Sequence, residues 1–132
     1  MECVKRLLVA DASQEFRCHL VESFQNEPDM EVVGETEDGL QLLELTQKLL
    51  PDVIVMEMVL SGLDGLEVLE RLRGLSLERQ PKILVLSSYV RGSIADLAAA
   101  NGADHYMVKP CRFSTICART VSYTHLTLPT IL

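Results

Sequence analysis

Pro51-Asp52-Val53-Ile54-Val55-Met56-Glu57 is the stretch on which the fold turns. Four consecutive apolar residues, two Val and an Ile among them, are too few for a helix and rich in β-branched side chains. Such a run predicts a strand buried on both faces. Pro51 ends whatever helix precedes it, because proline has no N–H to donate. The run closes on an acid, Glu57.

Outward from this run the same alternation repeats. On its N-terminal side, Leu40, Leu43 and Leu50 mark the apolar side of one helix. Before that helix, Glu31-Val32-Val33-Gly34 reads as a less apolar strand, expected at a sheet edge. Ser13 can cap an earlier helix in which Phe16, Leu20 and Phe24 recur every four residues. Leu7-Leu8-Val9-Ala10 is another short apolar strand run. On the C-terminal side, Ser61-Gly62-Leu63-Asp64-Gly65 is turn chemistry, with two glycines to supply positive φ. Leu66, Leu69 and Leu72 then face one side of a third helix, and Ile83-Leu84-Val85-Leu86 is a fourth strand. Ile94, Leu97 and Ala98 lie on a fourth helix that Asn101-Gly102 can close. His105-Tyr106-Met107-Val108 forms the last strand, which halts at Lys109-Pro110.

Five strands alternating with helices predict an α/β fold, a doubly wound parallel sheet covered on both faces. In such folds the site lies at the carboxyl ends of the strands. Those ends carry Asp11, Glu57, Ser87 and Lys109, and all four are polar. One polar strand end would mean little, but packing has no need of four.

Composition narrows the classes of function. At 132 residues the chain fits one domain, and 48% hydrophobic residues exclude a disordered segment. Aromatics make up 5% and Trp is absent, so the core must be built from Leu, Val, Ile and Ala. Twelve basic against nineteen acidic side chains leave a net charge of −7, which argues against binding a nucleic-acid backbone. Cys3, Cys18, Cys111 and Cys117 form no C-x-x-C, and His19, His105 and His125 do not sit at zinc spacing from them. Small thiols in a reducing compartment account for them. The first ten residues carry Glu2, Lys5 and Arg6 and lack a signal-peptide core, and no stretch approaches the ~20 apolar residues of a membrane span. A cytoplasmic protein without membrane contact is expected.

The strand-end blocks also stand in a specific order. Val9-Ala10-Asp11, Pro51 through Glu57, Ser61 through Leu66, Leu86-Ser87-Ser88 and Gly102-Ala103-Asp104 through Lys109-Pro110 resemble the signature of receiver domains of two-component response regulators. The match covers residues 4–119. Within the family, Met30-Glu31-Val32-Val33-Gly34 and Gly65 through Arg73 look closest to stage-zero sporulation regulators. The resemblance implies a CheY-like sheet of order 2-1-3-4-5 and a regulatory, non-enzymatic module that answers to a histidine kinase or phosphotransfer protein. It also implies a transcriptional regulator of sporulation or stress genes as the complete protein. By position, Lys109 matches the phosphate-pocket lysine, Ser87 the switch hydroxyl and Tyr106 the switch aromatic, although a strand-end packing role also fits Tyr106. A cis Lys109-Pro110 bond is implied as well.

Two departures bear on function. The family's acidic pair falls on Asp11 and Ala12, so a metal-ligating acid is replaced by a methyl group. The phospho-accepting aspartate position holds Glu57, whose longer arm displaces its oxygens by roughly 1 Å, on the order of a hundredfold in a positioned reaction. Any Mg²⁺ site left on Asp11 and Glu57 is therefore expected to be weak or absent. Proline is also missing from the following loop, where Ser61 stands.

Glu57 then has two readings. Either its carboxylate mimics the phosphorylated state by reaching toward Lys109 and Ser87, or it forms a salt bridge with Lys109 that holds the fold and signals nothing. A weakly phosphorylatable receiver is the alternative to both. A small phosphatase of similar topology is the rival enzyme class, but Glu57-Met58-Val59 lacks its D-x-D motif, and no phosphate-cradling glycine loop is present.

The C-terminus changes character. A fifth helix begins over residues 112–119, and residues 120–132 contain four Thr, one Pro and no charged side chain. The helical period is lost there, leaving the fifth helix incomplete. This tail resembles sequencing-adaptor read-through, which would leave a DNA-binding output domain missing; a genuine apolar docking tail is the alternative. Receivers commonly dimerise through the fourth helix and fifth strand, here near Ala98 and Tyr106, and a homodimer is expected on that face.

Overall fold

The computed structural model describes residues 4–88 and 92–121. Strands and helices alternate throughout: β1 (Lys5–Ala10), α1 (Gln14–Gln25), β2 (Met30–Thr36), α2 (Gly39–Leu49), β3 (Val53–Met56), α3 (Gly65–Arg73), β4 (Lys82–Ser87), α4 (Ile94–Ala100), β5 (His105–Val108) and α5 (Phe113–Val121). The strands form one parallel sheet in the order β2-β1-β3-β4-β5, so β3 lies at its centre, β1 and β4 flank it, and β2 and β5 are the edges.

The continuous apolar runs feed two cores at once, because successive strand side chains point to opposite faces. Leu8, Ala10, Ile54, Met56 and Val85 pack against Leu42 of α2, Val68, Leu69 and Leu72 of α3 and Ala98 of α4. Leu7, Val9, Val53, Val55, Leu84 and Leu86 pack on the other face against Leu20 and Phe24 of α1 and Ile116 and Cys117 of α5. No aromatic beyond Phe24 is among the largest fully buried side chains, so branched aliphatics do fill the interior. Among the described residues no helix is long and apolar enough to cross a membrane.

Several local expectations are corrected. In α2 the buried side is Leu42 and Thr46, with Leu43, Leu45 and Leu49 half-buried, whereas Leu40 and Leu50 are exposed. Six leucines in eleven positions leave the helical period ambiguous, and only docking on the sheet selects the face. Leu50 has left the helix and caps it in the left-handed region at φ 49°. Ala98 is fully buried and so contributes nothing to the surface of α4; Leu97 and Val108 are the large exposed apolar side chains of α4 and β5. Helix α5 continues through Val121, two residues past the expected end at 119, and the buried Thr120 hydroxyl donates to the Ile116 carbonyl at 2.9 Å. Cys18 is exposed, Cys111 half-buried and Cys117 buried. Cys3 and residues 122–132, the bulk of the tail, lie outside the described residues.

Candidate functional site

The strand ends are tied together by backbone hydrogen bonds. The Asp11 N–H donates to the Thr36 carbonyl (3.0 Å), that of Glu57 to Ala10 (3.0 Å) and that of Lys109 to Ser87 (2.9 Å). Asp11, Glu57 and Ser87 are consequently buried, at 3%, 5% and 0% exposure. Two acids at such burial need partners, since an unpaired buried charge is costly.

Lys109 supplies the partner for both. Its Nζ lies 2.8 Å from Asp11 Oδ2 and 3.0 Å from Glu57 Oε1. The remaining oxygen of each acid accepts backbone N–H groups: Asp11 Oδ1 from Ser13 at 2.8 Å, and Glu57 Oε2 from Met58 at 2.7 Å and Val59 at 3.4 Å. All four carboxylate oxygens are thus engaged by protein donors. Burial alone would lower the Lys109 pKa, but its hydrogen bonds and attraction to Asp11 and Glu57 outweigh this and raise it. The Lys109-Pro110 peptide bond that follows is cis, as expected.

The structure brings Asp11, Glu57 and Lys109 into direct contact. Ser87 ends β4 beside the Lys109 backbone, and Tyr106 is half-buried, packed against the α3–α4 side of the core. Ala12 is exposed and has only a methyl group to offer. Among the described residues no group of three or more His, Cys, Asp or Glu side chains is placed to hold a metal ion.

Three contributors escaped sequence reasoning. Phe16, read only as a core residue of α1, sets its ring 4.0 Å from Lys109 Nζ. Arg17 donates from Nη1 to the Asp11 carbonyl at 2.5 Å and pairs through Nε with Glu35 at 2.9 Å, bracing the loop after β1. The Met58 and Val59 amides carry no side-chain signal at all. For Phe16 a signal existed: Ser13, whose hydroxyl accepts from the Phe16 N–H at 3.2 Å, fixes where α1 begins and hence which way its first turn faces.

Those amides depend on the β3–α3 loop being held in place. Gly65 lies so close that a Cβ there would fall 2.6 Å from the Met58 Cα, and its N–H donates to the Met58 carbonyl at 2.7 Å. Farther along, Ser61 gives both its N–H (3.1 Å) and its hydroxyl (2.9 Å) to the Glu37 carbonyl, while Gly39 N–H returns to the Ser61 carbonyl at 2.9 Å. The loop is therefore clipped to the β2–α2 connection, and the missing proline has a physical account: a proline could make neither Ser61 bond. Ser61→Pro should cost about 1–2 kcal/mol in urea unfolding, and Ser61→Ala about half of that. Equal stability of all three proteins would show that the clip contributes nothing.

Comparison with known proteins bears on the fold and the family. Residues 7–121 match the family described as the response regulator receiver domain. The chain is 38% identical over 107 residues to protein-glutamate methylesterase/protein-glutamine glutaminase 1 of Methanospirillum hungatei, covering 80% of this chain and 31% of that protein. It is 35% identical over 112 residues to the transcriptional regulatory protein LiaR of Bacillus subtilis, covering 84% of this chain and 52% of LiaR. The chain thus spans about half, or less, of the length of these relatives. Among solved structures, the signal receiver domain of NarL from Mycobacterium tuberculosis superposes with a TM-score of 0.85 at 28% identity, over 91% of this chain and 95% of that one. The response regulator domain of Thermotoga maritima CheB does so with a TM-score of 0.80 at 27% identity, over 98% and 99%. From sheet order, strand-end residues and the match over residues 7–121, this chain belongs to the response regulator receiver domain family.

Proposed function

We propose that this chain is the regulatory module of a two-component response regulator whose pocket holds its signalling state without phosphate. The observation that carries this is the Lys109 ammonium lodged between Asp11 and Glu57, 2.8 and 3.0 Å from their oxygens. An ordinary receiver needs that space for a divalent cation and a reacting phosphoryl group. Here the Lys109 ammonium already neutralises both carboxylates, and Glu57 extends its longer arm to it.

Mg²⁺ fits this donor set poorly. It demands octahedral oxygen coordination and usually one or two free carboxylates. Every oxygen of Asp11 and Glu57 already accepts from an N–H or from the ammonium, and Ala12 offers none. No buried side-chain polar atom among the described residues is left without a partner that a metal could satisfy.

Contact of Glu57 with Lys109 is common to both roles, and the mimic is the one this proposal adopts; the second oxygen is held by the loop amides of Met58 and Val59. Incubation with a small-molecule phosphodonor and Mg²⁺ should therefore leave the mass unchanged. Stoichiometric acyl phosphate on Glu57 would overturn the proposal. Self-association compared between the natural protein and Glu57→Gln tests whether the charge signals; identical behaviour would leave Glu57 a structural residue only.

The partners follow from the family: a histidine kinase or phosphotransfer protein upstream, and an output domain downstream. The LiaR likeness favours transcriptional output, with DNA bound by a separate domain, since the charge of −7 suits no nucleic-acid face. A sporulation-type output rests on the Met30–Gly34 and Gly65–Arg73 sequence blocks. Leu97 and Val108, 46% and 49% exposed, would carry a homodimer contact on the α4–β5 face.

A further inference from the structure

Lys109 has a third neighbour besides the two acids. Its Nζ stands 4.0 Å from the centre of the Phe16 ring, where a cation is attracted by the negative face of the π system. The Phe16 ring in turn meets Phe113 of α5, centroids 5.6 Å apart and tilted by 31°. The His19 imidazole meets Phe113 in a T-shaped arrangement, centroids 6.4 Å apart and planes at 86°.

These contacts form a closed circuit with the pocket. Asp11 Oδ1 accepts from Ser13 N–H, Ser13 Oγ accepts from Phe16 N–H, the Phe16 ring faces Lys109, and Lys109 pairs with Asp11. Lys109 and Phe113 lie at the two ends of the β5–α5 connection, so that connection grips the Phe16 ring at both. A ring needed only for packing would suit any position on the α1–α5 side of the core. This one is anchored through the capping residue to the same acid that holds the ammonium.

We infer that Phe16 is a positioning residue of the pocket: its ring helps to hold the Lys109 ammonium between Asp11 and Glu57, and through Phe113 it makes the α1–α5 seam respond to whether the ammonium stays there. The inference rests on the proposed phosphate-independent pocket and names the element that reads it. A change at Lys109 alters what one face of Phe16 touches, and the ring's other neighbour is α5. The family's recognised route runs instead through the hydroxyl and aromatic positions, here Ser87 and Tyr106, on the opposite side of the sheet end.

The test is side-chain NMR on the full chain. In Phe16→Leu, which keeps an apolar side chain but removes the ring, the Lys109 Cε protons should lose their ring-current shift. The ammonium should also release its proton roughly three- to thirtyfold more readily. Phe16→Tyr keeps the ring and should keep both signals. Lys109→Ala should displace the Phe113 and His19 ring resonances in the natural background and at least threefold less in the Phe16→Leu background, with Leu72 methyls as the reference. Unchanged Lys109 signals in Phe16→Leu, or equal displacement in both backgrounds, would overturn the inference. Phe16→Met serves as the ring-free variant should leucine prevent folding. None of these readouts uses a phosphodonor, so phosphorylation of Glu57 would overturn the pocket's proposed function separately.

Discussion

The double variant Ala12→Asp/Glu57→Asp is expected to gain a phosphoryl group from a small-molecule donor in the presence of Mg²⁺, where the natural protein gains none. The first change returns a carboxylate to a site that has one acid too few, and Mg²⁺ depends on one or two such ligands. The second withdraws the attacking oxygens by roughly 1 Å toward β3, a displacement on the order of a hundredfold in a positioned reaction. Shortening the arm also pulls the carboxylate away from Lys109 Nζ, now 3.0 Å from Glu57 Oε1, and so loosens the internal ion pair. Each single variant should recover far less, because either the metal ligand or the geometry stays wrong. Intact-mass measurement over a time course checks this. Labelling of the natural protein at the rate of the double variant would mean that neither Glu57 nor Ala12 limits the chemistry.

Lys109→Ala is the change with the largest expected effect on stability. It removes the one cation between two acids that are 3% and 5% exposed. Stripping one partner from a buried ion pair costs about 3–5 kcal/mol, and the partial exposure of Lys109 places the loss toward the lower end. The variant should also become responsive to Mg²⁺: with the ammonium gone, a divalent cation can partner the two carboxylates, and binding to the folded state raises the unfolding midpoint. The natural protein should show no such rise.

The sign of the pH dependence follows from the raised pKa of Lys109, ordinarily 10.5. A lysine held more tightly protonated when folded stabilises fully below its unfolded value and loses that contribution as pH climbs through the folded one. The stability difference between natural protein and Lys109→Ala should therefore be constant up to about pH 10 and shrink above it. Urea midpoints at several alkaline pH values test this. A difference that is flat through pH 11 would remove the ion pair as its cause.

Strand positions were legible in the sequence because burial on both faces leaves short unbroken apolar runs, as in Val53-Ile54-Val55-Met56. Helix α1 was legible from Ser13 and a clean four-residue period. Helix α2 was not, since leucines at 40, 42, 43, 45, 49 and 50 satisfy more than one face. The C-terminal end of α5 was missed because Thr120 is buried by turning its hydroxyl onto the helix's own backbone, which a count of apolar residues does not register.

The site divides in the same way. Residue identity along the chain was enough to place Asp11, Glu57, Ser87 and Lys109 at strand ends, because a parallel sheet must present those ends together. It was also enough to show that an acid is missing at Ala12 and an arm is too long at Glu57. Only the tertiary structure decided what fills the space between the acids. Lys109 lies 98 positions from Asp11 and follows the edge strand of the sheet. Its reach across to Asp11 and Glu57, the amides that take their other oxygens and the Phe16 ring beside it depend on how α1, the β3–α3 loop and β5 dock. Such contacts are set by packing between distant segments, and no local pattern in the sequence encodes them.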